Sequence, residues 1–174
     1  YYNAEYFFKN CIIENPEDYP SLYNLLYCYE QMNLNKKAIK VLKKIIKFNA
    51  YSEIAWYQLG CIYSKMNQIE KAISCFDYAI ISDKNLISSY IEKAKLLEFK
   101  GQFVNAIENY KSVLKFNDPS AFILTKIGEC YIKLSSMVKG LDYFLKAIHI
   151  EPGFEKSWIK LIDYFINLKN YKKA

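Results

Sequence analysis

The sequence predicts an all-α chain: an α-solenoid in which antiparallel helix pairs stack side by side. Three observations predict it. Small residues recur at intervals of 34, with Ala4, Ala38, Ala72, Ala106, Gly140 and Ala174 in one column. Apolar residues inside each interval follow the helical spacing i, i+3, i+4, i+7, as in Leu22, Leu25, Leu26, Tyr29 and again in Trp56, Leu59, Gly60, Tyr63. Five glycines and four prolines in 174 residues are too few for a turn-rich β architecture.

Each interval begins with a helix marked by three columns. One holds Leu22, Trp56, Tyr90, Leu124 and Trp158; the next Leu26, Gly60, Ala94, Gly128 and Ile162; the third Tyr29, Tyr63, Leu97, Tyr131 and Phe165. A turn follows at Asn33, Asn67 and Gly101, residue types that tolerate the left-handed conformation ending a helix. Ser135 takes that slot in the next interval, so its turn is expected to adopt another geometry. The second helix carries the alanine column and a bulky column of Phe8, Leu42, Phe76, Tyr110 and Phe144. Asn15-Pro16, Asp118-Pro119 and Glu151-Pro152-Gly153 stop second helices, because proline cannot continue one. Ala72 and Gly60 are expected where two helices cross closely, with Phe76 and Trp56 filling the space between neighbouring pairs.

The register divides the chain into a lone second helix (1–18), four complete pairs (19–52, 53–86, 87–120 and 121–154), and a first helix with the start of a second (155–174), all in one solenoid domain. Both ends would present bare repeat faces with no polar capping helix. The register therefore predicts a fragment of a longer protein, whose exposed terminal faces offer a route to self-association.

The motif Trp56-x2-Leu59-Gly60-x2-Tyr63, followed by Ala72, Phe76 and Ala79, resembles the tetratricopeptide repeat (TPR) family, and the resemblance runs over the whole chain. It is strongest in 53–86 and 121–154. Leu26 in a small-residue slot and Lys93 in a leucine slot mark the more divergent repeats. The wording of the repeats is similar to that of bacterial TPR proteins. The resemblance implies a right-handed superhelix with a concave groove, a scaffold role in protein–protein interaction, and a partner lying along first helices.

All 24 basic residues are lysine, and 18 acids leave a net charge of +6. Without arginine there is no bidentate fork for phosphate or guanine, so the composition argues against nucleic acid and against an RNA-binding helical repeat. No apolar run reaches the length of a membrane span. Cys11, Cys28, Cys61, Cys75 and Cys130 are odd in number and form no CxxC, which argues for reduced thiols in a cytoplasmic setting and against a metal site. The one histidine, His149, has no companion acid and nucleophile, and every glycine falls in a packing or turn slot. No catalytic residue, metal or cofactor is expected. The alternative is a TPR segment that regulates or recruits substrate for an enzyme domain outside this fragment.

The helix phase assigns groove-facing positions. Those chosen for binding a peptide segment or protein surface are Tyr23, Tyr27, Tyr57, Cys61, Ile91, Lys95, Thr125 and Glu129, with the three tyrosines free of any core role. Glu30, Ser64, Glu98, Ile132, Ile159, Asp163 and Ile166 share that face. TPR co-chaperones grip a C-terminal carboxylate with lysine and asparagine, but those slots here hold Tyr23, Tyr57, Ile91 and Thr125, and Tyr27, Cys61, Lys95 and Glu129. Only Lys156 and Lys160 match the clamp's distal basic pair. Lys36, Lys37, Lys40, Lys43, Lys44 and Lys47 form a stripe opposite Ala38, Leu42 and Ile45, expected as a solvated face.

Overall fold

The computed structural model describes residues 1–116 and 118–172. Among them lie ten helices: α1 (Tyr2–Glu14), α2 (Tyr19–Gln31), α3 (Asn35–Phe48), α4 (Glu53–Lys65), α5 (Ile69–Ser82), α6 (Ile87–Phe99), α7 (Phe103–Phe116), α8 (Ala121–Lys133), α9 (Met137–Ile150) and α10 (Glu155–Lys172). First helices start at 19, 53, 87, 121 and 155, one period apart. Two compact units make up the chain, Tyr1–Ser89 and Tyr90–Ala174.

In the first unit α1 packs on α2, α2 on α3, α3 on α4 and α4 on α5. Its core is made of the predicted columns: Leu22, Leu26, Ala38, Leu42, Ala72 and Phe76 are each 0–1% exposed. Close crossing explains Gly60. A β-carbon there would stand 2.7 Å from Phe76 Cε1, inside contact distance of a ring that is itself buried.

In the second unit α7 packs on α8, α8 on α9, and α10 on both α8 and α9. Gly128 and Gly140 face each other where α8 and α9 cross. A β-carbon on either would lie 3.1 Å from the other's carbonyl oxygen, and one on Gly128 would meet Phe144 at 2.5 Å. Ala121, Leu124 and Ala147 form a buried cluster covered by Leu114, Tyr143 and Phe154.

The tryptophan column does less core filling than the sequence suggests. Trp56 is half-buried and Trp158 is 44% exposed. Each donates its indole N–H to a carbonyl six residues upstream, Trp56 to Ala50 at 2.8 Å and Trp158 to Pro152 at 2.9 Å. These two tryptophans tie α4 and α10 to the loops that precede them. Ser52 and Ser120 cap α4 and α8, accepting from the amides of Ala55 and Ile123.

The turns inside the pairs share one geometry. Asn33, Asn67, Ser135 and Gly101 have φ of 54°, 57°, 58° and 73°. Ser135 therefore follows the others and does not take a different turn. The reason is hydrogen bonding: Ser135 N–H donates to Ile132 O and Ser136 N–H to Tyr131 O, the pattern that Asn33 and Leu34 make with Glu30 and Tyr29. A lysine also bridges three of these turns, with Lys37, Lys71 and Lys139 at 5.3, 5.5 and 5.6 Å from the ring centroids of Tyr29, Tyr63 and Tyr131.

The C-terminal expectation is corrected. The slot of Asn33, Asn67, Gly101 and Ser135 falls next on Lys169, and α10 runs unbroken through it to Lys172, so no second helix starts among the described residues. Lysine disfavours the left-handed φ that the other turns use and is a good helix former. Ala174, the last member of the alanine column, lies outside the described residues.

Candidate binding groove

The first helices of the second unit wall a cavity of about 1040 Å³. Lys95, Glu98 and Phe99 come from α6, Lys126, Glu129, Cys130, Ile132 and Lys133 from α8, and Lys160, Asp163 and Tyr164 from α10. Phe103, Met137 and Phe144 of the second helices complete the lining. The helical repeat places i, i+3 and i+4 residues on one face, so each first helix contributes one charged group per turn to the same wall.

Those charges are linked. Lys126 Nζ lies 3.2 Å from Glu98 Oε2 and 3.0 Å from Glu129 Oε2, and Lys160 Nζ lies 3.5 Å from Glu129 Oε1. The Tyr110 hydroxyl donates to Glu98 from behind. Burial works against the Lys126 ammonium, but the hydrogen bond and charge of Glu129, joined by Glu98, outweigh it and raise its pKa. Burial, then the Glu98 hydrogen bond, drives the Tyr110 phenol upward, so it stays a donor. The groove thus carries charges held in place, with apolar surface beside them: Phe99 is 75% exposed and Met137 is 43% exposed. Cys130 lines it as a thiol, since burial pushes its pKa up to about 12 and leaves no thiolate for nucleophilic work. Cys75 is pushed up to about 11 in the same way.

Of the residues chosen from sequence, Lys95 and Glu129 line this cavity, with Glu98, Ile132 and Asp163 beside them. Lys95 is paired with Glu92 at 2.7 Å. Thr125 is corrected: it is 1% exposed, donates to Ala121 O and shares a 2.7 Å hydrogen bond with Ser157 between α8 and α10. Its hydroxyl is used by the helix contact, and no partner can reach it. Ile91 is half-buried on α6.

The tyrosines of the first unit do take part in packing. The Tyr23 hydroxyl is 3.2 Å from Ser52 Oγ, the cap of α4. The Tyr57 ring lies 5.8 Å from that of buried Phe76. Tyr27 is 53% exposed and meets Tyr1 edge-on at 6.3 Å. Cys61 is half-buried. Sequence reasoning missed Phe99, Lys126 and Tyr164. The signal for Phe99 was its position four residues after Lys95, on the same helix face.

Helix pairs repeating at this period, with small residues at the crossings and a lined groove, define the class of helical-repeat scaffolds for protein–protein contact. Residues 19–51 and 54–85 each match the tetratricopeptide repeat family, which this chain resembles. It is 27% identical over 112 residues to the Hsp70-Hsp90 organizing protein of Triticum aestivum, covering 63% of this chain and 19% of that protein. It is 24% identical over 127 residues to the general transcriptional corepressor ssn6 of Schizosaccharomyces pombe, covering 72% of this chain and 11% of that one. The chain therefore spans a fifth or less of the length of these relatives. Among solved structures, MamA from Desulfovibrio magneticus RS-1 superposes with a TM-score of 0.76 at 18% identity, over 87% of this chain and 86% of that one. A thermophilic TPR protein of Thermus thermophilus gives 0.62 at 17% identity, over 93% and 89%. These likenesses establish the fold.

Proposed function

We propose that the chain is a non-catalytic scaffold that holds a peptide segment or protein surface along its first helices, as an array of repeats divided at 19, 53, 87, 121 and 155. The observation that carries this reading is the cavity of about 1040 Å³ with exposed Phe99 and Met137 beside the Lys126–Glu129–Lys160 network. Aromatic anchors next to fixed charges supply affinity and register to a bound segment. Tyr27, at the corresponding face of the first unit, is the exposed tyrosine we assign to the same task. The wheat relative organizes Hsp70 and Hsp90 by its name, but the slots that a carboxylate clamp would use hold Tyr27, Cys61, Lys95 and Glu129 here, so we assign no chaperone tail. Five free thiols favour a reducing compartment, for which we propose the cytoplasm. No helix among the described residues is long and apolar enough to cross a membrane.

The test is site-directed photocrosslinking in native lysate. A benzophenone side chain placed at Phe99 is expected to trap a discrete protein partner, while one placed at Lys40 on α3 is not. Equal yields from both positions would remove the groove from consideration.

A further inference from the structure

The first unit holds an internal carboxylate in a cradle of three donors. Glu5 on α1 is 7% exposed, and its Oε1 accepts from Tyr29 Oη at 3.0 Å, from Lys37 Nζ at 3.1 Å and from Lys9 Nζ at 2.7 Å. Three periods further on, the second unit repeats the donors without the acceptor. Tyr131, Lys139 and Lys111 stand at the positions of Tyr29, Lys37 and Lys9, while Ile107 stands at that of Glu5.

The donors still converge. Lys111 Nζ is 3.1 Å from Tyr131 Oη, and Lys111 and Lys139 each lie 5.6 Å from the Tyr131 ring centroid. Because Lys111 donates to that oxygen, the phenol hydrogen remains available to an incoming acceptor. Tyr143 stacks on Tyr131 at 5.5 Å and holds the ring. Ile107 is buried and has no acceptor to offer. Among the described residues no acidic side chain pairs with Lys111 or Lys139; the neighbouring Lys146 already has Asp142 at 2.6 Å. Lys139 is exposed and Lys111 and Tyr131 are half-buried, so the cradle is open to solvent. None of the three lines the groove cavity.

We propose that Lys111, Tyr131 and Lys139 form a second binding site, which takes a carboxylate from an acidic side chain of a protein partner. That the partner is a protein rests on the scaffold reading; the site itself does not depend on the groove. Carboxylate is preferred to phosphate because the filled cradle gathers all three donors on one carboxylate oxygen, and no arginine fork is present to span a larger anion.

The test is an NMR titration of the full chain, observing the Tyr131 ring and the Lys111 side chain at low salt. The probes are a blocked tri-glutamate peptide in one arm and inorganic phosphate in the other. Saturable shifts with the peptide are expected, with phosphate at least about tenfold weaker. Ile107→Glu should fill the cradle from within and abolish the peptide shifts, and its new carboxyl should titrate below the ordinary range. Should that variant not fold, Lys111→Met with Lys139→Met must abolish the same shifts. No saturation, equal or tighter phosphate binding, or shifts that survive these changes would each overturn the proposal. Phe99→Ala must leave peptide binding intact. Loss of the groove partner in that variant with the peptide still bound separates the two sites, and failed crosslinking at Phe99 with the peptide still bound would sink the groove alone.

Discussion

The Phe76 ring occupies the space that a side chain on Gly60 would need, with only 2.7 Å between its Cε1 and a β-carbon built there. The same two columns hold Leu26 with Leu42 one repeat earlier, both 0–1% exposed. Volume is shared between the columns: a larger first-helix residue goes with a smaller second-helix one. Gly60→Leu is therefore expected to destabilise the chain by about 2–3 kcal/mol in urea unfolding. Adding Phe76→Leu should recover more than half of that loss. A double variant no more stable than the single one would show that the columns do not trade volume.

Ser135 at φ 58° bears a strain that Gly101 at 73° avoids. Ser135→Gly is expected to raise stability by up to about 1 kcal/mol, and Gly101→Ala to lower it by a similar amount. Nothing lies within 4 Å of a β-carbon on Gly101, so the second loss would come from the backbone alone. Thermal melts of the two variants should move in opposite directions.

Glu5 makes folding depend on acid. The hydrogen bond from Lys9 holds its carboxyl down at about 2 against burial, with Lys37 and Tyr29 assisting, whereas the ordinary value is 4.5. A depressed carboxyl stabilises the fold above the ordinary value and loses that contribution as pH falls towards 2. Because Lys9 and Lys37 are half-exposed, solvent screening reduces the contribution to about 2 kcal/mol. Glu5→Gln should be less stable than the parent at pH 7 and converge with it near pH 2. A gap that stays constant with pH would mean that the charge of Glu5 is not what ties α1 to α2 and α3.

Lys126 answers two carboxylates, Glu98 and Glu129. Lys126→Met leaves both facing each other across a partly buried groove and is expected to cost about 1–3 kcal/mol. Adding Glu98→Gln and Glu129→Gln should return most of it. Full recovery of stability with loss of the crosslinked partner would assign the network to binding.

Tyr27 and Tyr57 should separate contact from packing. Tyr27→Ala is expected to change stability by less than about 1 kcal/mol and to weaken partner binding in the first unit. Tyr57→Ala loses the Phe76 contact and should cost about 2 kcal/mol or more.

The helix pairs, their turns and the small columns were legible in the sequence because each is a local demand repeated along the chain. Apolar spacing sets helix phase, and a glycine or alanine recurs where backbones approach. Ser135 escaped that reading because its turn is imposed by hydrogen bonds from flanking residues, which outweigh its own preference. The groove was only partly legible. Helix phase located Lys95, Glu98 and Glu129, but it assigned Thr125 to the open face, and phase alone cannot reveal that Ser157 of a later helix closes over it.

What the chain determined on its own was periodic: the fold class, the positions of first and second helices, and the absence of an arginine fork. Which hydroxyls and charges meet was decided only when separate helices came together. Glu5 with Tyr29 and Lys37, Tyr110 with Glu98, and Lys111 with Tyr131 are pairs 12 to 32 residues apart. Side-chain polar contacts at that separation depend on distances of a few tenths of an ångström between packed helices, and no local pattern encodes those.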